Sequence, residues 1–123
     1  MSFREVADQF VSWYIHTHNT NRSALQQVYT PHSLMTYQDQ QLYGNDNIMA
    51  KVGDPNLAIM QKSAVHIEAQ PSINDTTLIC VQGNLWFDDP SQTIPFIEIF
   101  LIAQDPATQA FFVVNQIFST HSV

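Results

Sequence analysis

The sequence predicts an α+β fold, helices packed on one face of a curved antiparallel sheet, and three observations predict it. Apolar residues recur at helical spacing early in the chain, from Phe3 through Phe10 to Tyr14. From Met60 onward they alternate with the two-residue period of a strand, in runs parted by turn residues at Asp88-Asp89-Pro90 and Asp105-Pro106. Helices first and strands afterwards is the order in which helices come to cover one sheet face. Without repeats, linkers or low-complexity stretches, 123 residues suit a single domain over 1–123 with one core.

Ser2 and Glu5 form the S-x-x-E pattern of a capping box, so a helix is expected over residues 3–18, with Phe3, Val6, Phe10, Trp13 and Tyr14 on its apolar stripe. Asn19-Thr20-Asn21 breaks it. Residues 23–26 repeat the capping pattern and open a second short helix carrying Leu25, Val28 and Tyr29, which Pro31 ends. Residues 33–37 and 41–43 read as a hairpin around Gln38-Asp39-Gln40. After Gly44, Asn45 or Asp46 caps a third helix containing Ile48, Met49 and Val52, and Gly53-Asp54-Pro55 terminates it. Residues 60–70 alternate as a long strand, a turn follows at 71–75, and three more strands lie within 78–118.

Those last three strands divide into two faces. Ile79, Val81, Leu85 and Phe87, then Ile97, Ile99 and Leu101, then Phe112, Val114 and Phe118 form one almost purely apolar face that requires a core. The other carries Cys80, Gln82, Asn84 and Trp86, then Glu98, Phe100 and Ile102, then Phe111, Val113, Asn115 and Ile117. It is too apolar for water and too polar for an ordinary interior, a mixture typical of a surface that meets another protein. The helices cover only one face, so a homodimer through the mixed face is the simplest expectation.

Eleven acidic residues against four basic ones give a formal charge of -7, which disfavours phosphate backbones and anionic lipid surfaces and favours a basic partner. No nucleic acid or membrane partner is therefore expected. The single cysteine, Cys80, forms no intrachain disulfide and no paired zinc site. The first ten residues are polar and charged, without a signal-peptide apolar run, and no window approaches the roughly 18 apolar residues of a membrane span.

Of the five histidines, His16 and His18 are two apart on a helix and diverge, the wrong spacing for chelation, while His32 and His121 fall in expected loops. His66 and Glu68 share one strand face and would form an acid–base pair if that face lined a pocket. The face read as apolar holds no acid or base, as a catalytic interior would need. With only Gly44, Gly53 and Gly83, the chain has no phosphate-cradling loop.

The succession Val28-Tyr29, Thr36-Tyr37-Gln38-Asp39-Gln40-Gln41, Gly44, Gly83-Asn84-Leu85 leading to Asp88-Asp89-Pro90, Phe100-Leu101-Ile102 and Asn115-Gln116-Ile117-Phe118 resembles the nuclear transport factor 2 family. The likeness is collinear over nearly the whole chain, with one small length change beside Pro90. It implies a cone-shaped fold, three helices closing over a strongly bent antiparallel sheet, and a homodimer formed sheet to sheet. It further implies a carrier without enzymatic activity, cofactor or metal, which takes GDP-bound Ran into the nucleus and touches Phe-Gly repeats of nucleoporins. Cytoplasm, nucleus and the pores of the nuclear envelope are the implied locations.

The resemblance puts the Ran site at the open end of the cone. Asp88 and Asp89 stand at the hairpin tip, suited to basic partner side chains. Tyr37, Leu57, Met60, Leu85, Phe87, Ile94, Ile99 and Phe118 form an apolar mouth for a partner aromatic. Tyr37 and Gln38 replace a family tryptophan and glutamate, and Phe3 stands where the family has its nucleoporin-binding tryptophan. On the dimer face, Cys80 and Ile117 match family methionines, and alternation adds Gln82, Asn84, Trp86, Phe100, Ile102, Val113 and Asn115. The altered Tyr37-Gln38 pair keeps a heterodimerising export adaptor or scaffold as an alternative, and the same cone also hosts isomerases and dehydratases.

Overall fold

The computed structural model describes residues 2–120. The first helix, α1 (Phe3–Thr20), starts at the capping box: the Glu5 amide donates to Ser2 Oγ, and the Ser2 amide donates back to the Glu5 carboxylate. Its buried stripe is Ala7, Phe10, Val11, Tyr14, Thr17 and His18. The second helix is a 3-10 helix over Arg22–Val28 that follows Asn21 without a side-chain cap; Ser23, the expected cap, lies inside it and donates to Asn21 Oδ1. Strands β1 (Leu34–Tyr37) and β2 (Gln40–Tyr43) form the predicted hairpin, and α2 (Asn45–Val52) runs to Gly53. After a 3-10 turn at Pro55–Leu57 come β3 (Gln61–Pro71), β4 (Thr77–Trp86), β5 (Ile94–Gln104) and β6 (Phe111–Thr120).

The six strands form one sheet in the order β2-β1-β6-β5-β4-β3. Every pairing is antiparallel except β1 with β6, which is parallel and carries the early hairpin across to the late strands. Two bulges bend the sheet. Val65 is an extra residue in β3 between Ala64 and His66, and Val114 is an extra residue in β6 opposite the step from Leu101 to Ile102.

The long edge strand β3 is sealed by α1. Asn19 Nδ2 donates to the Lys62 carbonyl at 2.7 Å while Asn19 Oδ1 accepts from the Lys62 amide at 2.9 Å, so one side-chain amide replaces a neighbouring strand. Arg4 Nη1 donates to the Ile67 carbonyl at 2.8 Å further along. Capping these main-chain groups removes an open pairing edge.

Alternation holds in β4, where Ile79, Val81 and Leu85 are buried and Cys80, Gln82, Asn84 and Trp86 face the other way. It is inverted in β5: Phe96, Glu98, Phe100 and Ile102 are buried, and Ile97, Ile99 and Leu101 look outward. The physical reason is that the one charged residue of β5 is an interior residue, paired with Lys62. In β6 the bulge at Val114 changes the parity midway, so Val113, Gln116 and Phe118 are buried while Phe112, Val114, Asn115 and Ile117 share the outer side. Phe100, Ile102 and Val113, expected on the dimer face, are core residues, each no more than 1% exposed. Phe100 sits in an aromatic cluster, 5.2 Å from Phe10 and 4.9 Å from Tyr14 in edge-to-face contact.

Gly83 lies on the helix-covered side of β4 beneath the Phe96 ring. A Cβ there would meet the Ser63 carbonyl oxygen of the adjacent strand and come within 2.8 Å of Phe96. Gly83→Ala is expected to destabilise the protein by about 3 kcal/mol, read as a lowered urea midpoint at unchanged m-value; wild-type stability in the variant would contradict this packing.

Candidate functional site

The open end of the cone is built from the β1–β2 turn, the Pro55–Leu57 turn, the loop after β4 and the end of β6. Tyr37 stacks on Phe118 with ring centroids 4.7 Å apart, and Phe118 lies 5.8 Å from Phe96. The Lys51 ammonium sits 5.2 Å from the Tyr37 centroid. Arg22 anchors the opposite wall, donating through Nη1 to the Leu57 carbonyl and through Nη2 to the Met60 carbonyl. Phe87 and Ile94, each 38% exposed, form the rim, with Leu85 buried below. Asp88 and Asp89 are exposed beside it. Asp89 Oδ1 accepts from the amide and hydroxyl of Ser91, which hold its carboxyl below the usual range.

Gln38 is part of the wall. Its Nε2 donates to Thr120 Oγ1 at 2.6 Å and its Oε1 accepts from the Thr120 amide at 3.2 Å, while Gln38 and Asp39 take the left-handed backbone of a tight turn. Ile99, expected in the mouth, is on the outer face because β5 is inverted. Phe96 takes the inward place instead.

Beneath the mouth lies a polar floor that the sequence reading lacked. Lys62 and Glu98 form an ion pair of 3.1 Å, their side chains 3% and 2% exposed. Glu98 Oε2 accepts from Gln116 Nε2 at 2.7 Å. Gln116 Nε2 also donates to Tyr14 Oη, and Gln116 Oε1 accepts from Tyr29 Oη, so Tyr14 donates to Tyr29 and closes a ring of hydrogen bonds. Burial pushes both tyrosine hydroxyls well above their ordinary pKa, and burial pulls the Lys62 ammonium down against the opposing pull of Glu98. Tyr37 is raised to about 12, mainly by burial and then by Glu98.

The expectation of an interior without acid or base is thus overturned. The sequence carried one signal: Lys62 lies two residues before Ala64, so it shares a strand face with an alanine that packs against the core. The cavity over this floor is small, about 10 Å³, and is lined by Tyr37, Leu57, Met60, Lys62, Glu98 and His18 among others. That is room for one water and no more. The other acid–base candidate is misplaced: His66 and Glu68 pair at 2.6 Å on the outer side, across from Gln82 and Cys80, and are solvent-exposed. His121 lies outside the described residues. Among the described residues no cluster of three metal-ligating side chains occurs, and no helix is long and apolar enough to cross a membrane.

Residues 6–120 match the family profile of the Nuclear transport factor 2 (NTF2) domain. The chain belongs to the NTF2 family. It is 30% identical over 119 residues to nuclear transport factor 2 of Eremothecium gossypii, covering 96% of this chain and 94% of that protein. Identity to the Saccharomyces cerevisiae protein of the same name is 28% over 119 residues, with the same coverage. The solved structure of Cryptosporidium parvum nuclear transport factor 2 superposes with a TM-score of 0.89 at 31% identity, covering 97% of this chain and 94% of that one. The cone of helices on a bent sheet is therefore the NTF2 fold.

Two further surfaces of this NTF2 domain are distinct from the mouth. On the uncovered sheet side, Cys80, Gln82, Asn84, Trp86, Asn115 and Ile117 stand where expected, joined by Ile97, Ile99, Leu101, Phe112 and Val114. Ile117 is 44% exposed. At the closed end, Phe3 is 41% exposed over a hollow of about 340 Å³ whose walls include Val6, Pro71, Ile102 and Phe111.

His18, in the cavity wall, is held to a pKa of about 3, first by burial and then by Lys62. Between that value and its ordinary 6.5 the unfolded chain binds a proton that the folded one refuses, so stability falls as pH is lowered through this window, by about 1.4 kcal/mol per pH unit from this group. Urea unfolding at pH 7 and pH 5 is expected to show this loss in the wild type and a shallower one in His18→Gln; equal slopes would contradict the neutral buried imidazole.

Proposed function

We propose that this chain is a homodimeric carrier that takes GDP-bound Ran into the nucleus, with Phe-Gly nucleoporin contacts at Phe3, and that it works between cytoplasm and nucleus at the pores. The observation that carries this reading is the mouth, where two exposed carboxylates, Asp88 and Asp89, flank an aromatic and aliphatic rim on an NTF2 fold. The carboxylates orient a basic patch of the partner, and Tyr37, Leu57, Met60, Leu85, Phe87, Ile94 and Phe118 receive an apolar group between them. The surface charge agrees. The buried Lys62–Glu98 pair cancels, so the formal charge of -7 is carried by the rest of the chain, where acidic residues outnumber basic ones.

A carrier rather than an enzyme is favoured by the interior. Lys62 and Glu98 are spent on each other, and about 10 Å³ leaves no room for a substrate beside them. Pull-down against Ran loaded with GDP or GTP is expected to give binding to the GDP form alone. Asp88→Asn with Asp89→Asn should weaken it about tenfold near physiological salt, mostly through the on-rate. Binding to neither nucleotide form, or affinity untouched by the double change, would refute the assignment.

The dimer forms through the uncovered sheet side, with Ile117, Ile99 and Cys80 near its middle: Ile99 pairs with both Cys80 and Ile117 across the strands. A charge placed there would be buried against the partner copy at a cost of several kcal/mol. Ile117→Glu is expected to run as a folded monomer in sedimentation, while the wild type runs as a dimer. A variant that stays dimeric places the interface elsewhere.

A further inference from the structure

Apart from the mouth and the uncovered sheet side, α1, the 3-10 helix and the base of the β5–β6 hairpin enclose a groove of about 280 Å³. It shares only Phe111 with the hollow at Phe3. Its walls are aromatic. Phe10, Trp13 and Phe111 line it together with Val28, and the rings of Phe10 and Trp13 stand 6.3 Å apart at 46°, leaving an open notch. The rim is polar and uncommitted. The Trp13 indole N–H finds no acceptor among the described residues, and since no buried side-chain nitrogen or oxygen there lacks a partner, it must reach solvent. Gln9 and Gln27, both exposed, likewise have unbonded side-chain amides. A shallower depression adjoins the groove across Gln9 and Trp13 and ends at Asp8 and His16. At the opposite end Asp105 lies across the β5–β6 turn from Ala110, its amide donating to the Ala110 carbonyl at 2.8 Å. No Lys or Arg lines either depression, and Arg4, bonded to Asp8 at 3.4 Å, is also tied to the Ile67 carbonyl. The track therefore has a carboxylate at each end and no free cation along it.

A peptide lying in this groove gains no strand pairing. β5 and β6 are interior strands of the sheet, and α1 seals the edge strand β3 through Asn19 and Arg4. The ligand's main chain therefore meets isolated side-chain donors only. A polyproline II segment suits that condition: it is extended without internal hydrogen bonds, it has no N–H to satisfy at each proline, and its exposed carbonyls accept from donors such as those of the rim. Its rings pack on aromatic faces, and little conformational entropy is lost because the segment is already in its docked shape. Carboxylates at the ends of the track add attraction for a flanking Lys or Arg. We propose that the groove between α1 and the β5–β6 hairpin docks a proline-rich segment of a partner protein, with a basic residue beside the prolines. Neither the mouth nor the face assigned to the dimer contributes to this site, so it does not depend on the carrier reading.

The test titrates three soluble peptides into the whole protein: an acetylated polyproline peptide ending in Arg-Arg-amide, the same peptide with Gly-Ser in place of the prolines, and a Phe-Gly repeat peptide. Binding is read from the indole N–H resonances of the two tryptophans, with Trp86 on the uncovered sheet side as the internal control. The polyproline peptide should shift Trp13, leave Trp86 in place and bind about tenfold more tightly than the Gly-Ser peptide of equal charge. Trp13→Phe keeps a ring and removes the donor; it should weaken binding about fivefold, followed through the Phe111 amide. Asp8→Asn combined with Asp105→Asn, which retains the acceptor that Asp105 offers the Ala107 amide, should weaken it about threefold at low ionic strength. Equal affinity for the Gly-Ser peptide, a shift of Trp86 alone, tighter binding of the Phe-Gly peptide at Trp13, binding of no peptide, or affinity untouched by both variants would each overturn the proposal. The wild-type comparison decides the matter even if a variant does not fold, and its failure would leave the carrier reading standing.

Discussion

The ion pair between Lys62 and Glu98 is the constraint on which the arrangement of this molecule depends. Two charges taken out of water cost several kcal/mol each unless their geometry and remaining hydrogen bonds are nearly ideal. Here Glu98 has Lys62 on one oxygen and Gln116 on the other, Gln116 is closed into a ring with Tyr14 and Tyr29, and Lys62 has two aromatic faces. These contacts join α1, the 3-10 helix, β3, β5 and β6. None of the elements can slide or rotate without breaking one of them, because a buried charge left alone is far more costly than a lost apolar contact.

From that pair follow both faces of the sheet. With Glu98 inside, the two-residue period puts Phe96, Phe100 and Ile102 inside as well and sends Ile97, Ile99 and Leu101 out. The outer side of β5 becomes a row of aliphatic residues lying between Cys80 and Ile117, which gives the uncovered side a more apolar centre than alternation alone suggested. The bulge at Val114 lets β6 serve both sides, delivering Gln116 to the network and Ile117 to the surface.

The mouth inherits its character from the same floor. Its walls are apolar and its rim is acidic, but its depth is occupied by a satisfied ion pair and a cavity with room for a single water. Under the proposed carrier reading, Asp88 and Asp89 at the rim orient the docking partner. Arg22 has a supporting part, since its guanidinium clamps the carbonyls of Leu57 and Met60 and so holds two mouth residues in place.

Local sequence determined the elements. The capping box at Ser2 and Glu5, the break at Gly53, the turn chemistry around Asp39 and Asp89 and the alternation of β4 are short-range effects, and each is found where the residues put it, while α1 runs two residues beyond its expected end, to Thr20. Family membership and the acidic tip were legible for the same reason, as ordered motifs along the chain. The facing of β5 and the upper half of β6 was not legible: a run such as Phe96-Ile97-Glu98-Ile99-Phe100 is apolar on both sides, and its one carboxylate reads as a surface residue until its partner is known. That partner lies 36 residues earlier, on the far side of a bulge. Only the tertiary structure brings Lys62 and Glu98 together, and only that meeting makes the burial of a charge, and with it the inside and outside of the sheet, energetically possible.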